Sequence, residues 1–235
     1  RAQPRSRGLG DVYKRQTNSA FDMTADEYID FSSALTDLDT NPIDSSILEW
    51  TLTNTDSGEV EIITDLLVSN NMRWEATQVG NWSISASAFS IGDSVTMTVH
   101  HGQAVAILAA LDTSEQTAGG MINMVVTGTD SDGNTFPQLV EWTEDGVVVE
   151  NITAGSDEGM YTFMATIAGP HTLDYSTGVV SNSANISVDA LYIVDSLTIE
   201  LSSDSIDQLG SFTVTVKAFD EYLNPIAIPS SADVD

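Results

Sequence analysis

Apolar and polar residues alternate with a period of two along most of the chain. Trp82, Ile84, Ala86 and Ala88 alternate with Ser83, Ser85 and Ser87, and Val95, Met97 and Val99 alternate with Thr96 and Thr98. The same pattern runs through Tyr161, Phe163 and Ala165, Ile186 and Val188, Leu197, Ile199 and Leu201, and Phe212, Val214, Val216 and Ala218. Each run predicts a strand with one buried face and one face rich in Ser and Thr. No window carries an i, i+3, i+4, i+7 apolar stripe, and Gly, Asn and Asp punctuate the runs. The chain reads as all-β. Sheets with one wet face must bury the other against a second sheet, which predicts β-sandwiches.

The pattern also repeats about every ninety residues. Asp37, Asp130 and Asp220 open aligned segments that close on Asn41, Asn134 and Asn224. Trp50 matches Trp142, Ala76-Thr77 matches Ala165-Thr166, and Gly120 matches Gly210 at nearly the same step. A fixed period means an array of like modules. In the middle module strands are expected near 103–111, 121–129, 137–143, 147–151, 159–167, 171–180 and 184–190. Seven strands fit an immunoglobulin-like sandwich, with Trp142 and Trp50 where such a fold buries a core aromatic. The expected domains are 17–101, lacking its first strand, 102–190, complete, and 191–235, truncated. With no flexible tract at His100–Gln103 or Ala190–Ile193, the domains are expected end to end as a semi-rigid rod. Residues 191–235 should be mobile or borrow a neighbouring edge.

Charge changes the picture at the N-terminus. Five of the seven basic residues (Arg1, Arg5, Arg7, Lys14, Arg15) fall in the first fifteen positions. Residues 1–16 resemble the translated adaptor sequence found at the ends of metagenome-derived chains, so they are read as non-native and set aside. The remainder holds two basic residues, Arg73 and Lys217, against 34 acidic ones. That balance excludes nucleic acid as a partner and disfavours anionic membranes. No stretch approaches the roughly 18–20 apolar residues of a membrane span. There is no cysteine, which removes disulfides, Cys-ligated zinc and thiol nucleophiles.

The alternating strand, the Thr-Asp-x-Asp-x-Asn-Pro-Ile type turn and the following Trp strand are carried by Ser33–Ile43, Val126–Phe136 and Thr215–Ile226. With Gly80–Ala86 as a closing strand, they resemble the bacterial immunoglobulin-like (Big) repeats of invasin and intimin-type surface proteins. His171 departs from the pattern, standing where Trp82 stands one repeat earlier. The resemblance implies an extracellular or cell-surface stalk, spacer or adhesive segment, and brings no catalytic residues.

Candidate chemistry is sparse. Asp130, Asp132 and Asn134 put side-chain oxygens at alternate positions around Gly133, like half of a calcium loop. The bidentate Glu of an EF-hand is missing, because Glu141 lies in an expected strand, and the same residues suit a tight turn between strands. The Asp37/Asp39/Asn41 and Asp220/Glu221/Asn224 groups carry the same two readings. Calcium at the module joints, near Asp189 and Asp195, is a further option, weakened by His100 at the position equivalent to Asp189. His100 and His101 point to opposite strand faces and suit no shared metal. Asn81, Asn151 and Asn185 open N-glycosylation sequons. Trp74 beside Arg73 either stacks on a sugar or fills a sandwich edge. There is no serine-nucleophile motif and no Gly-rich phosphate loop. The expectation is a non-enzymatic surface or secreted repeat protein whose partners are its own neighbouring domains and possible surface glycans or proteins. The alternatives are a glycan- or protein-binding module using sandwich-end loops, and an accessory region of a secreted hydrolase.

Overall fold

In the computed structural model the described residues are 21–228, apart from 33–34, 38, 44–47, 64–70, 89–90, 206 and 209. The adaptor-like segment 1–16 and the position of the first module's opening strand lie outside them. The described residues contain strands and turns and no helix. They fall into two compact units, one of residues up to 103 together with 129–135, the other of 104–128 with 136 onward.

In the first unit, strands Phe21–Thr24, Ile91–His100, Gly80–Ala88, Glu49–Asn54 and Val60–Ile63 form one sheet in that order. Tyr28–Ser32 pairs with Asn71–Glu75, and Leu35–Thr36 with Pro42–Ile43, to cover it. The alternation expected for 82–88 is realised: Trp82, Ile84, Ala86 and Ala88 are buried and the intervening serines partly wet. Leu52 stands opposite Ile84 and Trp50 opposite Ala86, so these residues share the core face. Trp74 is buried and meets Trp82 edge-on at 4.9 Å, which places it in the sandwich interior and away from solvent.

The second unit has the order of an immunoglobulin-like sandwich. One sheet runs Ala106–Leu111, Met121–Thr129, Met160–Met164, Ile152–Ala154; the other runs Glu115–Thr117, Ser181–Asp189, Gly169–Ser176, Glu141–Glu144, Val147–Val148. Between them lie Ile107, Ile122, Met124, Val126, Phe163, Leu173, Ile186 and Val188. Trp142 packs at 4.9 Å on Tyr175 and 5.6 Å on Tyr161. The Tyr175 hydroxyl accepts from Ala109 N and that of Tyr161 from Val140 N.

Three expectations need correction. The opening strand expected near 103–111 is the shorter Ala106–Leu111, and after it a further strand that was not expected, Glu115–Thr117, joins the other sheet and pairs parallel with the last strand, as Phe21–Thr24 does in the first unit. The expected strand 137–143 is two, Thr135–Pro137 and Glu141–Glu144, because residues 138–140 turn the chain from one sheet to the other. The expected strand 147–151 is likewise Val147–Val148 and Ile152–Ala154, which belong to different sheets.

Strands Ser196–Leu201, Val214–Phe219 and Pro225–Ile226 form a separate three-stranded sheet. Leu197, Ile199, Leu201, Val214 and Val216 sit on it at the positions that Ile107, Ala109, Leu111, Met124 and Val126 hold one repeat earlier. Here they are exposed.

Candidate functional site: the repeated Asp-Asn loop

The recurring loops are the chemically densest places in the molecule. In 130–134 the Asp130 carboxylate accepts three N–H groups on Oδ1: Asp132 N at 3.1 Å, Asn134 N at 2.8 Å and Asn134 Nδ2 at 3.1 Å. Asp130 N donates to Asn134 O and Gly133 N to Asp130 O, closing the turn. Loop 220–224 repeats this, with Tyr222 N at 3.0 Å and Asn224 N at 2.8 Å from Asp220 Oδ1. So does loop 37–41, with Asp39 N at 3.0 Å and Asn41 N at 2.9 Å from Asp37 Oδ1. A carboxylate is the one side chain that can accept so many donors without offering any. The fourth residue takes a left-handed φ in each loop: Thr40 at 64°, Gly133 at 87° and Leu223 at 67°.

Among the described residues, two of these loops are seen seated in grooves. In the first unit, Gly102 N donates to Asp130 Oδ2 at 2.9 Å, Asn134 Nδ2 donates to Thr77 O at 2.9 Å, and Val79 N donates to Asn134 Oδ1 at 3.3 Å. In the second unit, Leu191 N donates to Asp220 Oδ2 at 2.9 Å, Asn224 Nδ2 donates to Thr166 O at 2.8 Å, and Ala168 N donates to Asn224 Oδ1 at 2.7 Å. The three groove positions are related residue by residue: Thr77 to Thr166, Val79 to Ala168, and Gly102 to Leu191. Asparagine suits the fifth position because its short amide donates to a carbonyl through Nδ2 and accepts from a backbone amide through Oδ1 at the same time. The recurrent Ala-Thr pair now has its reason, as Ala76 and Ala165 are fully buried and the following Thr presents the carbonyl.

Burial and hydrogen bonding act against each other on the two seated aspartates. Burial pushes the Asp130 and Asp220 carboxyls up, while the donors from Asn134 or Asn224 and from the groove amides outweigh it. Both are held below the ordinary carboxylate value. Asp132 goes the other way. Lost hydration raises it, with its hydrogen bond to Asp26 and the charges of Asp26, Asp130 and Glu75 adding to the effect.

The grooves differ beside the shared contacts. In the first, Asp26 lines the groove and Ser131 Oγ donates to its carboxylate. In the second, Gly119 holds the equivalent left-handed position and Tyr222 covers it. A Cβ on Gly119 would stand 2.6 Å from the Tyr222 hydroxyl.

Of the residues singled out for metal, Asp130 and Asn134 come together in this network and Asp132 is exposed beside it. The oxygens a calcium ion would use on Asp130 are those occupied by N–H donors. Among the described residues no group of three or more His, Cys, Asp or Glu side chains is arranged to hold a metal ion. His100 lies 3.7 Å from Asp22 at the sheet end. His171 is buried and keeps the bond of the indole it replaces: Nε2 is 2.8 Å from Ile167 O, as Trp82 Nε1 is 3.1 Å from Gln78 O. Its other ring nitrogen lies 2.9 Å from Glu144.

Among the sequon asparagines, Asn81 binds Asp56 and accepts from Thr98, and Asn151 donates to Met164 O. Asn185 stands exposed on strand Ser181–Asp189 and accepts from Thr172 Oγ1. Both basic residues beyond the N-terminal segment are ion-paired, Arg73 bidentate to Asp30 and Lys217 to Glu200. No helix among the described residues is long and apolar enough to cross a membrane.

No protein-family model matches the chain, and no curated protein matches it. Solved structures similar to it include a chain of the complex of Dpr2 Ig1-Ig2 with DIP-Theta Ig1-Ig3, at 10% identity over 77% of this chain and 64% of that one, with a TM-score of 0.44. The N-terminal four Ig domains of Dscam1 isoform 9.44 match at 13% identity over 78% of this chain and 47% of that one, with a TM-score of 0.40. Domains 5-6 of the S-layer protein SbsC match at 13% identity, over 79% of this chain and 99% of that one, with a TM-score of 0.29. The chain thus spans about half to just under two thirds of the first two.

Proposed function

We propose that this chain is a stretch of a non-enzymatic, surface-exposed or secreted repeat protein in which immunoglobulin-like modules serve as a stalk or spacer. One observation carries the reading: the same loop, from successive repeats, is seated in the same groove through the same three backbone contacts. A contact that recurs with the repeat is what a mechanical array needs, because it couples each repeat to the next. The four tryptophans are buried, which favours a spacer over a glycan-stacking surface. The dense negative charge keeps such a chain soluble and monomeric.

Small-angle scattering of the native chain and of an Asp130→Ala/Asn134→Ala variant tests the proposal. A spacer held by its seated loops gives a single sharp distance distribution that broadens in the variant. Indistinguishable profiles would remove the reading.

A further inference from the structure

The groove amide that reads the loop's asparagine belongs, in both units, to a peptide that is held at its other end as well. Val79 N donates to Asn134 Oδ1 at 3.3 Å, and the carbonyl of that same peptide, Gln78 O, accepts from Trp82 Nε1 at 3.1 Å. In the second unit Ala168 N donates to Asn224 Oδ1 at 2.7 Å, and the carbonyl of its peptide, Ile167 O, lies 2.8 Å from His171 Nε2. These peptides are trans, so N–H and C=O point opposite ways in one plane. Fixing the oxygen therefore aims the N–H. Each ring is buried on the strand that follows its groove, Gly80–Ala88 or Gly169–Ser176. Each also meets an aromatic neighbour edge-on, Trp82 with Trp74 at 4.9 Å and His171 with Phe163 at 6.2 Å.

We infer that the ring nitrogen of Trp82 and of His171 is the positioning group of its groove, holding the peptide that reads the loop's asparagine. The two units do this with different chemistry. Glu49-Trp50-Thr51-Leu52 in the first unit corresponds to Glu141-Trp142-Thr143-Glu144 in the second. Trp82 and the buried Leu52 are thus replaced together by His171 and Glu144. A carbonyl only accepts, so Nε2 of His171 carries a proton. Glu144 Oε1, 2.9 Å from Nδ1, keeps the ring from turning that proton away. A chain of hydrogen bonds then runs from Glu144 through the His171 ring and the 167–168 peptide to Asn224, whose amide donates to Asp220. Links in such a chain polarise and strengthen one another. Both bonds of the held peptide are shorter here than in the first unit, where leucine stands in place of the carboxylate. The inference concerns how the groove is built and does not rest on the spacer reading.

Nuclear magnetic resonance on the full chain tests this. In the native protein the long-range ¹H–¹⁵N spectrum of the imidazole should show a proton on Nε2 of His171. His171→Phe keeps a ring against Phe163 and removes its nitrogens. In that variant exchange of the Ala168 amide should quicken about tenfold, with the Asn224 side-chain resonances displaced and the amides of strand Met121–Thr129 unchanged. His171→Trp restores the donor that the first unit uses and should bring the Ala168 rate back. If His171→Phe does not fold, Glu144→Leu, at a half-buried position, frees the ring to turn and should quicken Ala168 by a smaller factor. A native His171 with no proton on Nε2 overturns the inference. So does exchange that quickens equally across the second unit in His171→Phe, since the ring then only fills space. An Ala168 rate that none of these folded variants changes overturns it too.

Discussion

The two occupied grooves make the same three backbone contacts and surround them differently. In the second unit the loop is sunk: Asp220 is 0% and Asn224 5% exposed, and Tyr222 lies over Gly119 and packs against the core. In the first unit the loop is shallower, and where the tyrosine would lie stand Asp132, Asp26 and Ser131. One groove is sealed by an aromatic ring and the other by carboxylates that repel one another. The shared contacts are therefore the seat, and the third residue of the loop sets how firmly it is held. A buried hydrogen bond to a charged group is worth more than an exposed one because water cannot replace the lost partner.

The largest effect should come from removing the loop carboxylate. Asp220→Ala leaves Leu191 N, Tyr222 N and Asn224 N without their acceptor in a buried place, and should cost the second unit about 3 kcal/mol. Asp130→Ala, in the shallower groove, should cost the first unit about 2 kcal/mol. Hydrogen exchange read unit by unit in increasing denaturant would measure both. The ranking is the comparison itself. Equal costs at the two positions would mean that the depth of the seat adds nothing.

That ranking could not have been read along the chain, although the parts could. Period-two alternation finds Gly80–Ala88, Ile91–His100, Met121–Thr129 and Ser181–Asp189 because each is long enough for burial to mark every second residue. It misses Glu115–Thr117, three polar-rich residues whose place is dictated by the neighbouring last strand and not by their own pattern. The repeated Asp, Asn and Ala-Thr were all visible. Their relation was not, because loops 130–134 and 220–224 bind a threonine carbonyl 57 and 58 residues earlier, in the preceding repeat. An Asp in a Gly-Asn turn also reads as solvent-facing, and Asp130 and Asp220 are buried only because a groove brings amide donors to both oxygens.

Acid should separate the two grooves. A carboxyl held below its ordinary value contributes stability above the carboxylate range and loses it as pH falls through its folded-state value. Asp130 and Asp220 both act in this sense. Asp132 is raised, so the folded form binds its proton more tightly than the unfolded one. Its contribution is favourable at low pH and is lost as pH rises through the raised value. On acidification from neutral the first unit should therefore gain stability before losing it, while the second only loses. Asp132→Asn mimics the protonated form and should abolish the gain, with a small rise in the first unit's midpoint at neutral pH, on the order of 1 °C. Thermal scans from pH 7 to pH 4 would show it. A first unit whose midpoint falls monotonically, with or without the substitution, would leave no role for the Asp26–Asp132 pair.

The smallest effect isolates the backbone from the contacts. Leu223 holds φ of 67° where the second repeat has Gly133 at 87°. A side chain pays for that conformation with a clash between its Cβ and the neighbouring carbonyl, about 1 kcal/mol, which glycine escapes. Leu223 is 72% exposed, so removing its side chain sacrifices little packing. Against the relief stands glycine's greater freedom in the unfolded chain, about 0.5–1 kcal/mol. Leu223→Gly should accordingly be close to neutral, within about 0.5 kcal/mol, while Gly133→Leu in the first unit's loop should destabilise by about 1 kcal/mol. If Leu223→Gly instead costs the second unit as much as Asp220→Ala, the leucine is part of the seat, and the groove reads more of the loop than its carboxylate and its amide.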